Sequence, residues 1–461
     1  MTSSESTLGG SFRDPSGFLF TRAGVLYRQV NQWGREDYEL FLSSGLYAAL
    51  VEKKLLIPHQ EVDVPAAQPS IAYKIIQPER VPFISYPYEW SFSQLKNAAR
   101  VTLRLQQMAL EAGMSLKDSS AYNIQFFHNR ATLIDSLSFE KYQPGQPWAA
   151  YRQFCQHFLA PLALMTYRDA RLTGMLRAHL DGLPLDLVSR LLPVRSYLNP
   201  GILIHLHLHA RSMRKYSTKA VSQEAVSGKM SKTSLQGLVD SLQSTITRLE
   251  WKAGGTAWAD YYDQTNYTPA AFEAKKRIVT GYLSHTQAHT AWDLGANTGV
   301  FSRLAAAAGM QVIAFDLDAA AVEGNYRACL QEKETRILPL VMDLANPSPA
   351  LGWQHAERSS LLERGPADLV MALALIHHLV IGNNLPFHKA AQFFRACGEW
   401  LIIEFIPKTD SQIQKMLAMR KDIFNEYDQE HFEAVFGDYF RIIEAQPVTD
   451  SKRIIYLMQV K

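Results

Sequence analysis

The stretch Asp293-Leu294-Gly295-Ala296-Asn297-Thr298-Gly299 stands between the apolar lead Thr290-Ala291-Trp292 and an alanine-rich run from Val300 to Ala308. It predicts a strand, a glycine turn and a helix. Glycines at 295 and 299 permit positive φ and bring bare backbone N–H groups to a ligand beside a helix N-terminus. The acid before the first glycine separates this turn from a G-x-G-x-x-G run, which cradles a pyrophosphate. A carboxylate there repels phosphate and attracts an ammonium, so the expected ligand is cationic at that end.

Further segments follow in a consistent order. Gln311-Val-Ile-Ala-Phe-Asp316 reads as a second strand ending in an acid, 21 residues after Gly295, where a carboxylate can reach a ribose diol. Leu317-Asp318 then opens a helix, and Ile337 to Asp343 is a third strand whose terminal acid suits an adenine amino group. A fourth strand, Ala367 to Ile376, runs into His377-His378, and Trp400-Leu-Ile-Ile leads to Glu404. Strands alternating with amphipathic helices imply a parallel, doubly wound sheet with its ligand crevice at the strands' carboxyl ends.

In these motifs the chain resembles the class I S-adenosylmethionine-dependent methyltransferases over roughly residues 240 to 461. The resemblance implies a Rossmann-like α/β sheet and S-adenosyl-L-methionine as cofactor. Asp293, Gly295, Asn297 and Gly299 then form the cofactor turn, with Asp316 toward the ribose and Asp343 on the adenine side. The ends of the fourth and fifth strands supply the candidate catalytic residues His377, His378 and Glu404, since histidine titrates near neutrality. No Asn/Asp-Pro-Pro-aromatic run follows the fourth strand, which favours an oxygen or carbon acceptor over an exocyclic nitrogen. The wording His377-His378, Asn383-Asn384 and Ile403 to Lys408, behind a long N-terminal extension, also resembles bacterial methyltransferase-like nodulation proteins of the NoeA kind. That likeness implies no particular substrate.

A net charge of +3 from 47 basic and 44 acidic residues gives no compositional argument for a nucleic-acid or membrane partner, so an acceptor substrate is the expected partner. Cys155, Cys329 and Cys397 are scattered and odd in number, which suggests neither a disulfide framework nor a thiolate metal site. The start, Met1-Thr-Ser-Ser-Glu, lacks an export signal and no run approaches the length of a membrane span. A cytoplasmic protein is expected.

Residues 1–210 read as an α+β accessory domain, 211–233 as a polar linker and 234–461 as the methyltransferase domain, which takes in a helix from Ser234 to Trp251. The aromatic segment Trp258 to Tyr267 is either a cofactor lid, with Tyr262 and Tyr267 as candidates, or an aromatic-packed helix pair.

The N-terminal half carries its own constellation. Asp118-Ser-Ser-Ala-Tyr-Asn123, then a short hairpin from Asn123 that ends in Asp135, is similar to the catalytic segment of protein and small-molecule kinases. The preceding helix, Leu95 to Ala112, and a strand at Val81 to Tyr88 fit that pattern. The similarity implies Asp118 as proton acceptor, with Asn123 and Asp135 on magnesium. The departures are equally plain: Leu116-Lys117 precedes Asp118, Ser-Leu follows Asp135, and no glycine-rich loop comes earlier. Arg28 and Lys74 are competing stand-ins for the phosphate-contacting lysine. A divergent kinase-like fold and an accessory domain with a carboxylate-capped turn therefore both stay open.

His205 and His209 could share a helix face, but no third ligand is near in sequence and no metal is assigned. The rivals to a methyltransferase with a substrate-recognising N-terminal domain are a bifunctional kinase-methyltransferase and a non-catalytic scaffold.

Overall fold

The structure is a computed structural model that describes residues 5–217, 230–252, 268–418 and 420–461. It divides into two compact units, Met1–Lys252 with Ala350–Arg358, and Ala253–Pro349 with Ser359–Lys461. Tyr262 and Tyr267, and most of the polar linker, lie outside the described residues.

The N-terminal unit opens with an antiparallel sheet in the order Glu5–Thr7, Gly17–Arg22, Val25–Asn31, Ala72–Pro78, His59–Glu61. A helix at Phe92–Glu111 follows, started by a capping box in which Ser91 and Gln94 serve each other's backbone N–H groups. Ile124–Phe127 and Arg130–Leu133 form the expected hairpin. Val81 to Tyr88 does not form a strand: Pro82 and Pro87 remove donors, and the segment ends in a 3-10 turn, Pro87–Glu89.

Two assignments move. The helix Lys232–Arg248 belongs to the N-terminal unit, where Lys96 Nζ donates to Thr247 O and Leu249 O at 2.9 and 2.7 Å and Gln107 reaches Asp240 at 3.0 Å. Its apolar stripe (Leu235, Val239, Leu242, Ile246) required a partner without naming which. Ala350–Arg358 also packs there, with Glu357 held by Arg13 through bonds of 3.0 and 2.7 Å.

In the second unit, seven strands are numbered in chain order: β1 Thr290–Leu294, β2 Gln311–Asp316, β3 Ile337–Val341, β4 Ala367–Ala372, β5 Gly398–Phe405, β6 Phe440–Pro447 and β7 Ile454–Val460. Their order in the sheet is β3-β2-β1-β4-β5-β7-β6, parallel up to β5, with β7 antiparallel to both neighbours. The closing run Arg453 to Val460 alternates like a strand but does not form the sheet's edge. It instead lies inside the sheet, with β6 outermost, consistent with the buried Ile455 to Met458.

The helices that matter for the site are α1 Pro269–Thr286, α2 Val300–Ala307, α3 Ala319–Glu332 and α4 Phe387–Cys397. Val279, Tyr282 and Leu283 of α1 and Phe301 and Ala305 of α2 share a core with Ala291, Val312, Leu369 and Ile402 of the sheet. The strand order reverses between β1 and β4, which opens a crevice at the sheet's carboxyl edge.

Candidate active site

β1 delivers the glycine turn to that edge. Gly295 and Gly299 have φ of 79° and 81°, and Asn297 adopts 49°, so the chain curls back on itself. Gly295 N and Ala296 N donate to Phe315 O at 2.8 and 2.9 Å, tying the turn to β2. Gly299 precedes α2, and a Cβ there would meet the Asn325 side chain at 2.5 Å. It shapes the turn against α3 and does not line the cavity.

The cavity at this edge encloses about 280 Å³, near the lower end for small-molecule sites. Asp293, Gly295, Asn297, Asp316, Asp343 and His378 all line it, so the structure gathers six of the nine residues singled out from sequence. Asp293 accepts from Ser302 Oγ at 2.6 Å, and burial pushes its carboxyl up to about 6. Asp316 accepts from Asn297 N at 2.7 Å and Asp318 N at 2.8 Å, yet burial raises it to about 6 as well. Asp343 accepts from Ala345 N at 2.9 Å, which fixes the turn after β3.

Of the lining residues that the sequence did not single out as site residues, three bear directly on binding. Asp318 caps α3 through Oδ1, and its Oδ2 is buried with no hydrogen-bond partner among the described residues. Leu317 leaves 63% of its surface exposed beside Asp316, an apolar wall next to Met342 and Leu344. Lys275 lines the cavity from α1 although only 3% exposed. The sequence did hold a signal for it: Lys275 falls four residues from both Ala271 and Val279, on the buried stripe of its helix.

His378, Gly382 and Asn383 wall the other side from a π-turn, His378–Gly382, that follows β4. Arg420 pins this turn by donating to Ile381 O and, at 2.6 Å, to Asn384 Oδ1. Burial lowers the His378 imidazole to about 4, so it is neutral at ordinary pH.

Two of the catalytic candidates sit elsewhere. His377 is buried behind the wall, its ring 4.1 Å from that of His378, and burial holds it neutral. Glu404 is fully buried and outside the lining: its Oε2 accepts from Lys275 Nζ at 2.6 Å and from Ala374 N at 2.9 Å. Arg453 NH1 lies 3.6 Å from Glu404 Oε1, and Arg453 also pairs with Asp410 at 2.9 Å. A carboxylate so engaged is a structural anchor, not an available base. What it anchors is Ala374, a cavity-lining residue with φ of 53°.

The N-terminal constellation is engaged by partners within its own unit. Asp118 Oδ1 accepts from Ser120 N at 2.9 Å and Gln153 Nε2 at 2.7 Å, and Asn123 reaches Ser138 Oγ at 3.4 Å. Asp135 pairs with the buried Arg28 at 2.5 Å, whereas Lys74 pairs with Glu61 at 2.7 Å on the sheet surface. His205 bonds Tyr151 and Ser241 at 2.9 and 2.8 Å, and His207 bonds Ser189 and Ser196 at 2.8 and 2.9 Å. These imidazoles stitch helices together. No described helix is long and apolar enough to cross a membrane.

The sheet order, its antiparallel seventh strand and the acid-lined crevice at the β1/β4 reversal define a class I methyltransferase fold. The chain is 33% identical over 463 residues to the nodulation protein NoeA of Rhizobium meliloti (strain 1021), covering 98% of this chain and 96% of that protein, and it belongs to the NoeA family. No family model matches it. Solved structures with weak similarity include magnesium protoporphyrin IX methyltransferase from Synechocystis PCC 6803 with bound SAH (17% identity, 44% of this chain and 91% of that one, TM-score 0.32). Others are the N-methyltransferase NodS from Bradyrhizobium japonicum WM9 (11%, 42% and 97%, 0.29) and the bifunctional kinase-methyltransferase WbdD (13%, 42% and 40%, 0.28).

Proposed function

We propose that this chain transfers a methyl group from S-adenosyl-L-methionine to an oxygen or carbon acceptor, with the N-terminal unit recognising the substrate. The observation that carries the reading is the convergence of Asp293, Asp316, Asp318 and Asp343 on one cavity beside the glycine turn. The residues present fit the cofactor chemically. Asp293 suits an ammonium, and Asp316 with Asp318 Oδ2, which has no hydrogen-bond partner among the described residues, suits a ribose diol. Leu317, Met342 and Leu344 give an apolar slot for a base, with Asp343 at hand for its amino group.

When bound, the cofactor would supply a methyl group on a sulfonium that departs as a neutral thioether, so the protein's task is alignment and exclusion of water. His378, neutral at ordinary pH, accepts a hydrogen bond or a proton from the acceptor. Asn383 and the Arg420-pinned turn position that acceptor. Glu404 and His377 support the wall from behind. The Arg28–Asp135 pair supports recognition over phosphorylation in the N-terminal unit, because magnesium would have to displace a buried guanidinium. Calorimetric titration with S-adenosylmethionine and S-adenosylhomocysteine tests the cofactor, and methyl-transfer assays with alcohol and carbon acids against amines test the acceptor class.

A further inference from the structure

We propose that Lys275 receives the carboxylate of the cofactor's amino-acid end, opposite Asp293, which receives its ammonium. The inference rests on the cofactor reading above and adds a binding residue that the sequence motifs do not contain. Among the described residues that line the cavity, Lys275 is the one lysine or arginine, against four aspartates. A ligand carboxylate entering walls of that sign is repelled unless a cation meets it, and burial strengthens both effects. Lys275 and Asp293 line the same cavity and interact electrostatically, which presents opposite charges to a zwitterion. Lys275 is also preorganised. Glu404 Oε2 holds its ammonium at 2.6 Å and the Phe301 ring centroid lies 4.8 Å from Nζ, so little side-chain freedom is lost on binding. Glu404 in turn is balanced by Arg453, itself paired with Asp410, so the cluster holds two cations and two anions before the ligand arrives.

The test compares S-adenosylmethionine with its decarboxylated analogue, which keeps the ammonium and loses only the carboxylate, by calorimetry on the full chain. Wild type should prefer the carboxylated ligand by about tenfold or more, as for one charge-assisted hydrogen bond. Lys275→Met should lose that preference and bind the two alike, and Lys275→Arg should keep part of it. Because Lys275→Met strands Glu404 in the core, Lys275→Met/Glu404→Gln provides a neutral pair for the same comparison. Equal affinities in wild type, or an undiminished preference in either methionine variant, overturn the assignment of Lys275. Failure of wild type to bind S-adenosylmethionine, its decarboxylated analogue and S-adenosylhomocysteine overturns the cofactor reading itself, and this inference with it.

Discussion

Lys275 Nζ and Glu404 Oε2 lie 2.6 Å apart, both buried, and the same carboxylate oxygen accepts the Ala374 N–H at 2.9 Å. One ion pair therefore joins α1 to the end of β5 and fixes the backbone where β4 enters the cavity wall. Burial lowers the Lys275 ammonium while Glu404 opposes that shift, so neither group is at ease alone. Lys275→Met should destabilise the protein by about 3–5 kcal/mol, as expected when one partner of a buried pair is removed. Glu404→Gln should cost less, since an amide oxygen still accepts from Ala374 and Lys275, whose ammonium burial already lowers, can shed its proton as the Arg28 guanidinium cannot. Urea unfolding of both variants measures the difference, and equal costs would argue against the shared-oxygen role.

Gly295→Val and Asp316→Ala address the cofactor turn. The first places a β-branched residue at φ 79° with its Cβ 3.4 Å from Leu375 Cδ1, a strain of roughly 1–2 kcal/mol plus obstruction. The second removes the acceptor for Asn297 N, and with it roughly 1.5–3 kcal/mol of charge-assisted hydrogen bonding. Each should weaken S-adenosylmethionine binding by about tenfold or more in a protein whose circular dichroism is unchanged. Wild-type affinity in both folded variants would remove these residues from the site.

The raised Asp293 and Asp316 carboxyls set a pH dependence. Both are pushed up to about 6 by burial, above their ordinary value, so their protons stabilise the ligand-free fold at low pH and that contribution is lost as pH rises through about 6. Binding has the opposite sign, because ammonium and ribose hydroxyls need the charged carboxylates. Affinity should be flat above about pH 7 and fall by about tenfold per unit, per carboxyl, below pH 6. A profile flat down to pH 5 would place neither acid on the ligand.

His378→Ala should lower turnover on the order of 10²-fold while leaving S-adenosylmethionine affinity within about twofold, as for an acceptor-side group. His377→Ala should affect stability more than chemistry, since that ring is buried behind the wall. Reversal of the two outcomes would exchange their roles.

In the N-terminal unit, magnesium with ATP should leave the melting temperature unchanged. Asp135→Asn should destabilise the unit by about 3–5 kcal/mol, because Arg28 would then be buried without its anion. Saturable magnesium-dependent ATP binding would restore the bifunctional reading.

The cavity edge was legible because its signals are local. Two glycines at fixed spacing and an acid at each strand end sit within a few residues of the geometry they create. Glu404 is the converse case: its partner Lys275 lies 129 residues away, so a strand-end acid that looks available in the sequence is engaged in the structure. His377 and His378 are adjacent in sequence, and only the π-turn after β4 decides which faces the cavity. The helix Lys232–Arg248 displayed an apolar face without specifying its docking partner, and β7 announced a strand without announcing that β6 would cover its outer edge. Alternation and periodicity report burial, whereas the choice of neighbour is tertiary.

Calorimetric titration of the full chain with S-adenosyl-L-methionine near neutral pH decides whether the crevice binds this cofactor. Saturable binding at one site per chain, weakened by Asp316→Ala, is the expected result. No binding of S-adenosylmethionine or S-adenosylhomocysteine by the folded wild-type protein would contradict it.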